Sequence, residues 1–392
     1  MGEKAILTGN KAAAIGAKLS RAKVVAAYPI TPQTTIVEYI AEMVEKGEMD
    51  ARYIRVESEH SAMAACIGAE SMGVRSFTAT SSQGLALMFE MVHWAAGARL
   101  PIVMAIVNRS LGPPWNIHTE HQDTISQRDT GWLQAYVTDC QEIVDTIIQM
   151  YKVCESEDVV LPGMVALDGF ILSHTSMPVD IPDQELVDEY LPEYKPKHYV
   201  LDPENPFTIG NLVLPNWYME MRYSMEEGMK AARKRIEEAG KEFEKFFGRR
   251  YGMVEEYLMD DAEYAIMCMG TMASEAKVAV KKLREEGVKA GLVRIRFYRP
   301  FPIEQIREVG RRVRGITVID RNISFGLGGA LCSEVKSAVY GLGVTVSGFI
   351  AGLGGRDVTY EEIAKMVRET IKDVKKGVLS PETRWIGVRR WW

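Results

Sequence analysis

The sequence predicts an α/β protein made of two successive units, each a mostly parallel sheet between helices. Three observations carry that prediction. Through the first 175 residues the short apolar runs AKVVAAYPI, VRSFTATSS, LPIVMAIVN and LPGMVALDG alternate with alanine-rich or amphipathic segments. From about residue 176 the alternation stops. After MDDAEY it resumes, which places two α/β domains at 1–255 and 256–392.

Taken in order, the strands of the first unit each end where the sequence turns polar or turn-forming, at YPITPQ, TSSQG and NRSLGPPWN. In parallel sheets the ligand crevice lies beyond such carboxyl ends. Between the first two, RVESEHSAMAACIGAESM (residues 55–72) predicts an alanine-rich helix capped by Ser58 and opened by Glu57, Glu59 and His60. The simple reading is a first turn whose acids offset the helix dipole. The other is a carboxyl set deliberately in apolar surroundings.

MPVDIPDQELVDEYLPEYKPKHYVLDPENPF, rich in proline and acid, predicts an extended connection or arm. Residues 222–247 then place Met225, Met229, Ala232, Ile236, Ala239, Phe243 and Phe246 at alternating spacings of four and three. That is a long amphipathic helix, suited to packing on its own domain or a partner subunit rather than to holding a cofactor. The second unit reads as strand YAIMCMG, helix MASEAKVAVKKLREEG, strand KAGLVRIRFYRPF, helix IEQIREVGRRV and strand GITVIDRN. SEVKSAVYGLGVTVSGFIAGLGG and a helix from about Tyr360 to Lys375 complete it. The glycine-rich SFGLGGAL and AGLGGRD match neither G-x-G-x-x-G after a first strand nor a P-loop, so tight turns compete with phosphate binding there.

Composition excludes several classes. The chain has 392 residues, 47% hydrophobic and 26% charged, with net charge -6, so no broad basic surface for nucleic acid or anionic membrane is implied. There is no signal-peptide pattern and no apolar run of the roughly 18 residues a membrane span needs, so a cytoplasmic location is expected. Cys66, Cys140, Cys154, Cys268 and Cys332 form no C-x-x-C, which leaves buried, reduced thiols as the expectation. His118 and His121, in NIHTEHQD beside Glu120 and Asp123, are the only histidine pair suggesting a metal, and such a loop has solvated or substrate-facing alternatives. No metal site is expected.

The ordered strings YPITPQT, VESEHSAMAACIGA, TATSSQGLALM, LPIVMAIVNR, QRDTGWLQ and AGLGGRDVT, with YRPFP and the tail WIGVRR, closely resemble the alpha subunit of the 2-oxoacid:ferredoxin oxidoreductases. The resemblance covers nearly the whole chain. It implies a thiamine-diphosphate-binding fold: a pyrimidine-binding domain, with arm and long helix, followed by a transketolase C-terminal-like α/β domain. Thiamine enzymes hold diphosphate and metal on a separate domain with a G-D-G motif, and this sequence has none. By resemblance, thiamine diphosphate is therefore shared with a beta subunit that carries Mg2+, and the [4Fe-4S] clusters belong to partner chains. Gamma and ferredoxin-like delta subunits, ferredoxin, coenzyme A and a dimer of hetero-oligomers are implied likewise.

The family pattern maps its catalytic glutamate to Glu59, with Glu57 the local competitor. Thiamine activation needs a carboxyl on the pyrimidine ring nitrogen, and apolar surroundings help by keeping that carboxyl protonated. Thr31, between Pro29 and Pro32, matches a threonine contacting cofactor and substrate, with Pro29 and Ile30 beside it. Arg109 matches the substrate-carboxylate arginine. Gln83 is expected to line the same crevice. Gly112, Pro113, Pro114 and Trp115 are expected to shape the side-chain pocket, where Trp115 closes on a small acid or stacks on an aromatic one. The implied reaction is oxidative decarboxylation of a 2-oxoacid, pyruvate or a branched-chain or aromatic one, with coenzyme A. A split transketolase-type transferase and a catalytically silent scaffold subunit are the rivals.

Overall fold

The structure is a computed structural model describing residues 2–389, so Arg390 of the WIGVRR tail lies outside the described residues. A seven-stranded sheet has the order Phe297–Arg299, Leu133–Tyr136, Gly163–Asp168, Val103–Asn108, Ser76–Thr80, Val24–Ala27, Arg52–Arg55. Its strands pair in parallel except at Phe297–Arg299, which runs antiparallel. Every residue of Ser76–Thr80, Val103–Asn108 and Gly163–Asp168 is buried, as expected of strands covered on both faces.

The second unit holds a six-stranded sheet, ordered Arg384–Trp385, Thr345–Ile350, Gly315–Asp320, Tyr264–Cys268, Ala290–Ile295, Val254–Tyr257, with only the last strand antiparallel. The helices expected in this region form at Met272–Glu285, Ile303–Arg312, Ala330–Ala338 and Tyr360–Lys375, the last with a complete capping box from Thr359 and Glu362.

Three features depart from the sequence reading. KAGLVRIRFYRPF is two strands in different sheets: Ala290–Ile295 stays in the second, while Phe297–Arg299 pairs with Leu133–Tyr136 of the first. Buried charge explains the break. Glu142 accepts from Arg294 at 3.0 Å and Arg296 at 2.8 Å, and Arg296 also reaches Thr146, so the chain is pulled across at this point. The arm is not wholly irregular, because Ser176–Ile181 pairs antiparallel with an unforeseen strand Glu3–Thr8, and Gln184–Tyr190 is helical. Finally, the long helix starts earlier, at Pro215, and runs to Phe247. Its stripe of Met225, Ala232, Ile236, Ala239 and Phe243 packs into the first unit's core. All five cysteines are free and buried.

Candidate active site

The crevice forms where the expected strand ends meet. After Val24–Ala27, the YPITP loop is tied down by Asn10 of the helix Gly9–Leu19, whose Nδ2 donates to Pro32 O and Thr35 Oγ1, both at 2.7 Å. Buried Gln33 accepts from Ile30 N at 3.3 Å. Pro29 and Thr31 are left exposed at the tip, with Ile30 half-buried. Arg109 comes off Val103–Asn108 and donates from Nη1 to Thr31 O at 2.9 Å and from Nε to Asn116 O at 3.4 Å. The fold thus brings Thr31 and Arg109 together. Partial burial draws the arginine's pKa down from its ordinary value.

One carboxylate organises both strand ends. Asp123 is fully buried and accepts from Ser82 N at 3.1 Å, Arg109 N at 3.0 Å, and Asn108 Nδ2 and Thr124 N at 2.8 Å. Burial pushes its carboxyl up to about 6, while these four donors favour its charge. Ser82, at φ +45°, is held in the left-handed region and also donates to Ser110 O. The sequence reading missed Asp123, which sat in the unassigned NIHTEHQD stretch.

Glu59 is the first residue of its helix, after Ser58, whose hydroxyl accepts from Ser61 N at 3.3 Å. It is only 5% exposed, and no other described residue hydrogen-bonds its carboxyl. Desolvation raises its pKa above the ordinary carboxylate range. Glu57, by contrast, is exposed and accepts from Ser61 Oγ, which lowers its pKa. Gly84 lies directly against Glu59: a Cβ there would overlap both Glu59 Oε1 and Thr80 Oγ1, so only a glycine lets the carboxyl pack at this point. In the segment leading to Gly84, Thr80 Oγ1, Ser81 Oγ and Gln83 Nε2 are buried polar atoms without a partner. A buried group of this kind calls for a ligand or water. Gln83 Oε1 accepts from Ser82 Oγ at 2.6 Å. Trp115 is 68% exposed, so any ligand contact it makes within this chain is at the rim.

The two glycine-rich stretches are turns, and neither leaves a free phosphate cradle. Asp320 fills the amino end of Ala330–Ala338, accepting from Leu331 N at 2.9 Å and Cys332 N at 3.0 Å, so an internal anion already sits there. Gly354 and Gly355 instead meet the loop after Arg109. Below that loop Asp168 accepts from Thr119 at 2.7 Å, His121 at 2.9 Å, Arg321 at 3.0 Å and Thr271 Oγ1 at 2.6 Å, which holds its pKa far below the usual range. His121 is thereby committed to a carboxylate. Among the described residues no three His, Cys, Asp or Glu side chains are grouped as metal ligands. Asp168 ends a buried parallel strand, and that position was the signal by which it could have been found.

The family model for pyruvate flavodoxin/ferredoxin oxidoreductase, thiamine diphosphate-binding, matches residues 15–241, and that for pyruvate:ferredoxin oxidoreductase core domain II matches 262–363. The chain belongs to this family. It is 51% identical to pyruvate synthase subunit PorA of Pyrococcus abyssi over 99% of this chain and 98% of the relative. It is 49% identical to ketoisovalerate oxidoreductase subunit VorA of Pyrococcus horikoshii, again over 99% and 98%. Among solved structures, 2-oxoglutarate:ferredoxin oxidoreductase from Magnetococcus marinus superposes with TM-score 0.73 at 20% identity, over 94% of this chain and 66% of that one. An inactive split-gene transketolase gives TM-score 0.56 at 14% identity over 93% and 98%, a likeness of fold alone. Full-length relatives at about half identity therefore make the chain an alpha-type subunit of a thiamine-dependent 2-oxoacid:ferredoxin oxidoreductase rather than of a transferase. The donor set fits an aminopyrimidine: a desolvated carboxyl at Glu59 packed against Gly84, and unpartnered polar atoms at Thr80, Ser81 and Gln83.

Proposed function

We propose that this subunit grips the aminopyrimidine end of thiamine diphosphate and orients pyruvate or a branched-chain 2-oxoacid for oxidative decarboxylation to the acyl-coenzyme A. The observation that carries this reading is the Glu59 carboxyl, buried against Gly84, pushed toward its protonated form and without a hydrogen bond from any other described residue. When bound, thiamine diphosphate supplies the nucleophilic carbon and electron sink for decarboxylation. Glu59 holds a proton at its carboxyl oxygen for the ring nitrogen. Arg109, fixed by Thr31 O and Asp123, presents its remaining N–H groups to the substrate carboxylate, and the Thr31 hydroxyl reaches a substrate or cofactor oxygen. Pro29 and Ile30 shape the loop, Gln83 contributes the unpartnered Nε2, and Trp115 guards the rim.

In this reading residues 1–255 are the pyrimidine-binding domain and 256–392 the transketolase C-terminal-like domain. A beta subunit holds Mg2+ and the diphosphate, [4Fe-4S] clusters on partner chains pass electrons to ferredoxin, and gamma and delta subunits complete a two-fold hetero-oligomer. No helix among the described residues is long and apolar enough to cross a membrane; a cytoplasmic location is part of this proposal. The test is to purify the native complex anaerobically and measure coenzyme A-dependent dye reduction with pyruvate, 2-oxoisovalerate, phenylglyoxylate and 2-oxoglutarate. Reduction with pyruvate or 2-oxoisovalerate is expected. Inertness toward all four by an iron-containing, thiamine-loaded complex would overturn the substrate class, and a complex without iron would revive the transferase.

A further inference from the structure

We infer that the glycine turn Gly352–Gly355 of the second unit is a specificity-determining element: it templates the loop from Arg109 to His121 that forms the substrate side-chain pocket. This rests on the reading of Arg109 as the carboxylate ligand and of residues 112–115 as the wall of the side-chain pocket, and concerns what holds that wall in place. The loop has little regular structure of its own, with only the backbone bond Ser110 N to His118 O at 3.1 Å spanning it. Its shape is set from the other unit. Asn116 Nδ2 donates to Gly354 O at 2.9 Å, Gly354 N donates to Glu120 Oε2 at 3.1 Å, and Gly355 N donates to Thr119 O at 2.9 Å. Glu120 passes the contact on, accepting from Ser110 Oγ at 3.0 Å. His121 N then donates to Arg321 O at 2.9 Å, closing the loop's far end on the same unit.

The turn can approach this closely only because it lacks side chains. Gly352, Gly354 and Gly355 have φ of +74°, +61° and +73°, which L side chains rarely adopt. A Cβ at Gly355 would stand 2.5 Å from His118 Cβ, and one at Gly354 would overlap Asn116 Nδ2. Asn116 links both ends of the argument, since its backbone oxygen accepts from Arg109 Nε while its amide grips the turn. A displacement of the turn therefore reaches the guanidinium and the pocket wall through one residue. Pockets discriminate acids differing by one or two methylenes through small changes of shape.

The experiment uses the assembled, thiamine-loaded, iron-containing complex carrying Gly355→Ala or, as a variant without backbone strain, Asn116→Ala. The ratio of kcat/KM for 2-oxoisovalerate over pyruvate is measured alongside amide exchange of residues 110–121 and 352–355. The inference expects a change in that ratio of about tenfold, with faster exchange of the Ser110 and Gly355 amides. A ratio within about twofold of the wild type in Asn116→Ala, with exchange of the loop unaltered or altered, overturns it. Wild-type complex that turns over neither acid would instead count against the proposed function, so the two failures are distinct.

Discussion

At the scale of single residues, the site sets a carboxyl against its environment. Glu59 has surrendered water without gaining a hydrogen bond from any other described residue, so its folded pKa lies above its unfolded one. The charged form therefore weakens the cofactor-free fold, and that penalty vanishes as the pH falls and the carboxyl takes up its proton. Glu59→Gln keeps the shape and removes the charge. The cofactor-free complex is expected to melt higher with Gln than with Glu at pH 7, the gap closing on acidification, while turnover with thiamine falls by about a hundredfold or more. Unchanged turnover would return the scaffold reading to the front. A position stabilised by losing its functional group is a site whose chemistry costs the fold something.

At the scale of elements, the site depends on how neighbouring strand ends are held in register. Ser76–Thr80 and Val103–Asn108 pair in parallel, and Asp123 ties together the segments just beyond their carboxyl ends through Ser82 N and Arg109 N. Asp123→Ala would leave three backbone donors, Ser82 N, Arg109 N and Thr124 N, without an acceptor, for a cost of about 3 kcal/mol in unfolding free energy. Asp123→Asn keeps one acceptor oxygen and should cost less. In both, KM for the 2-oxoacid is expected to rise more than kcat falls, because Arg109 loses the bond that fixes its backbone. Equal KM in steady-state assays would show that Thr31 O and Asn116 O suffice to position the guanidinium.

Across the whole molecule, the two units are joined by buried charge rather than by apolar surface alone. Glu142 of the first unit is gripped by Arg294 and Arg296 of the second, which holds its carboxyl down to about 2. Since that lies below the ordinary 4.5, the stabilisation is fully present above pH 4.5 and is lost as the pH falls toward 2. Glu142→Ala leaves Arg296 buried without a carboxylate, while Arg294 keeps Glu255 at 2.7 Å, and should cost about 3 kcal/mol, read by denaturant unfolding at pH 7. The difference from wild type should shrink in acid. Strand Phe297–Arg299, lent by the second unit to the first sheet, would loosen with it.

Patterns that repeat locally could be read from the chain without its fold. Buried parallel strands show as apolar runs ending in turn residues, and the long helix as a stripe at alternating threes and fours, so both units and the crevice ends were legible, with Thr31, Glu59, Gln83 and Arg109 all lying at them. The catalytic assignments came from ordered motifs, not from periodicity. Contacts between residues far apart in the chain leave no such local trace, and only folding settles them. Packing split KAGLVRIRFYRPF between two sheets to satisfy Glu142, and it set Gly354 against Asn116, 238 positions away. It also chose Glu59 over Glu57 for burial, since two acids two places apart on a helix start look alike until the fold turns one inward and leaves the other in water.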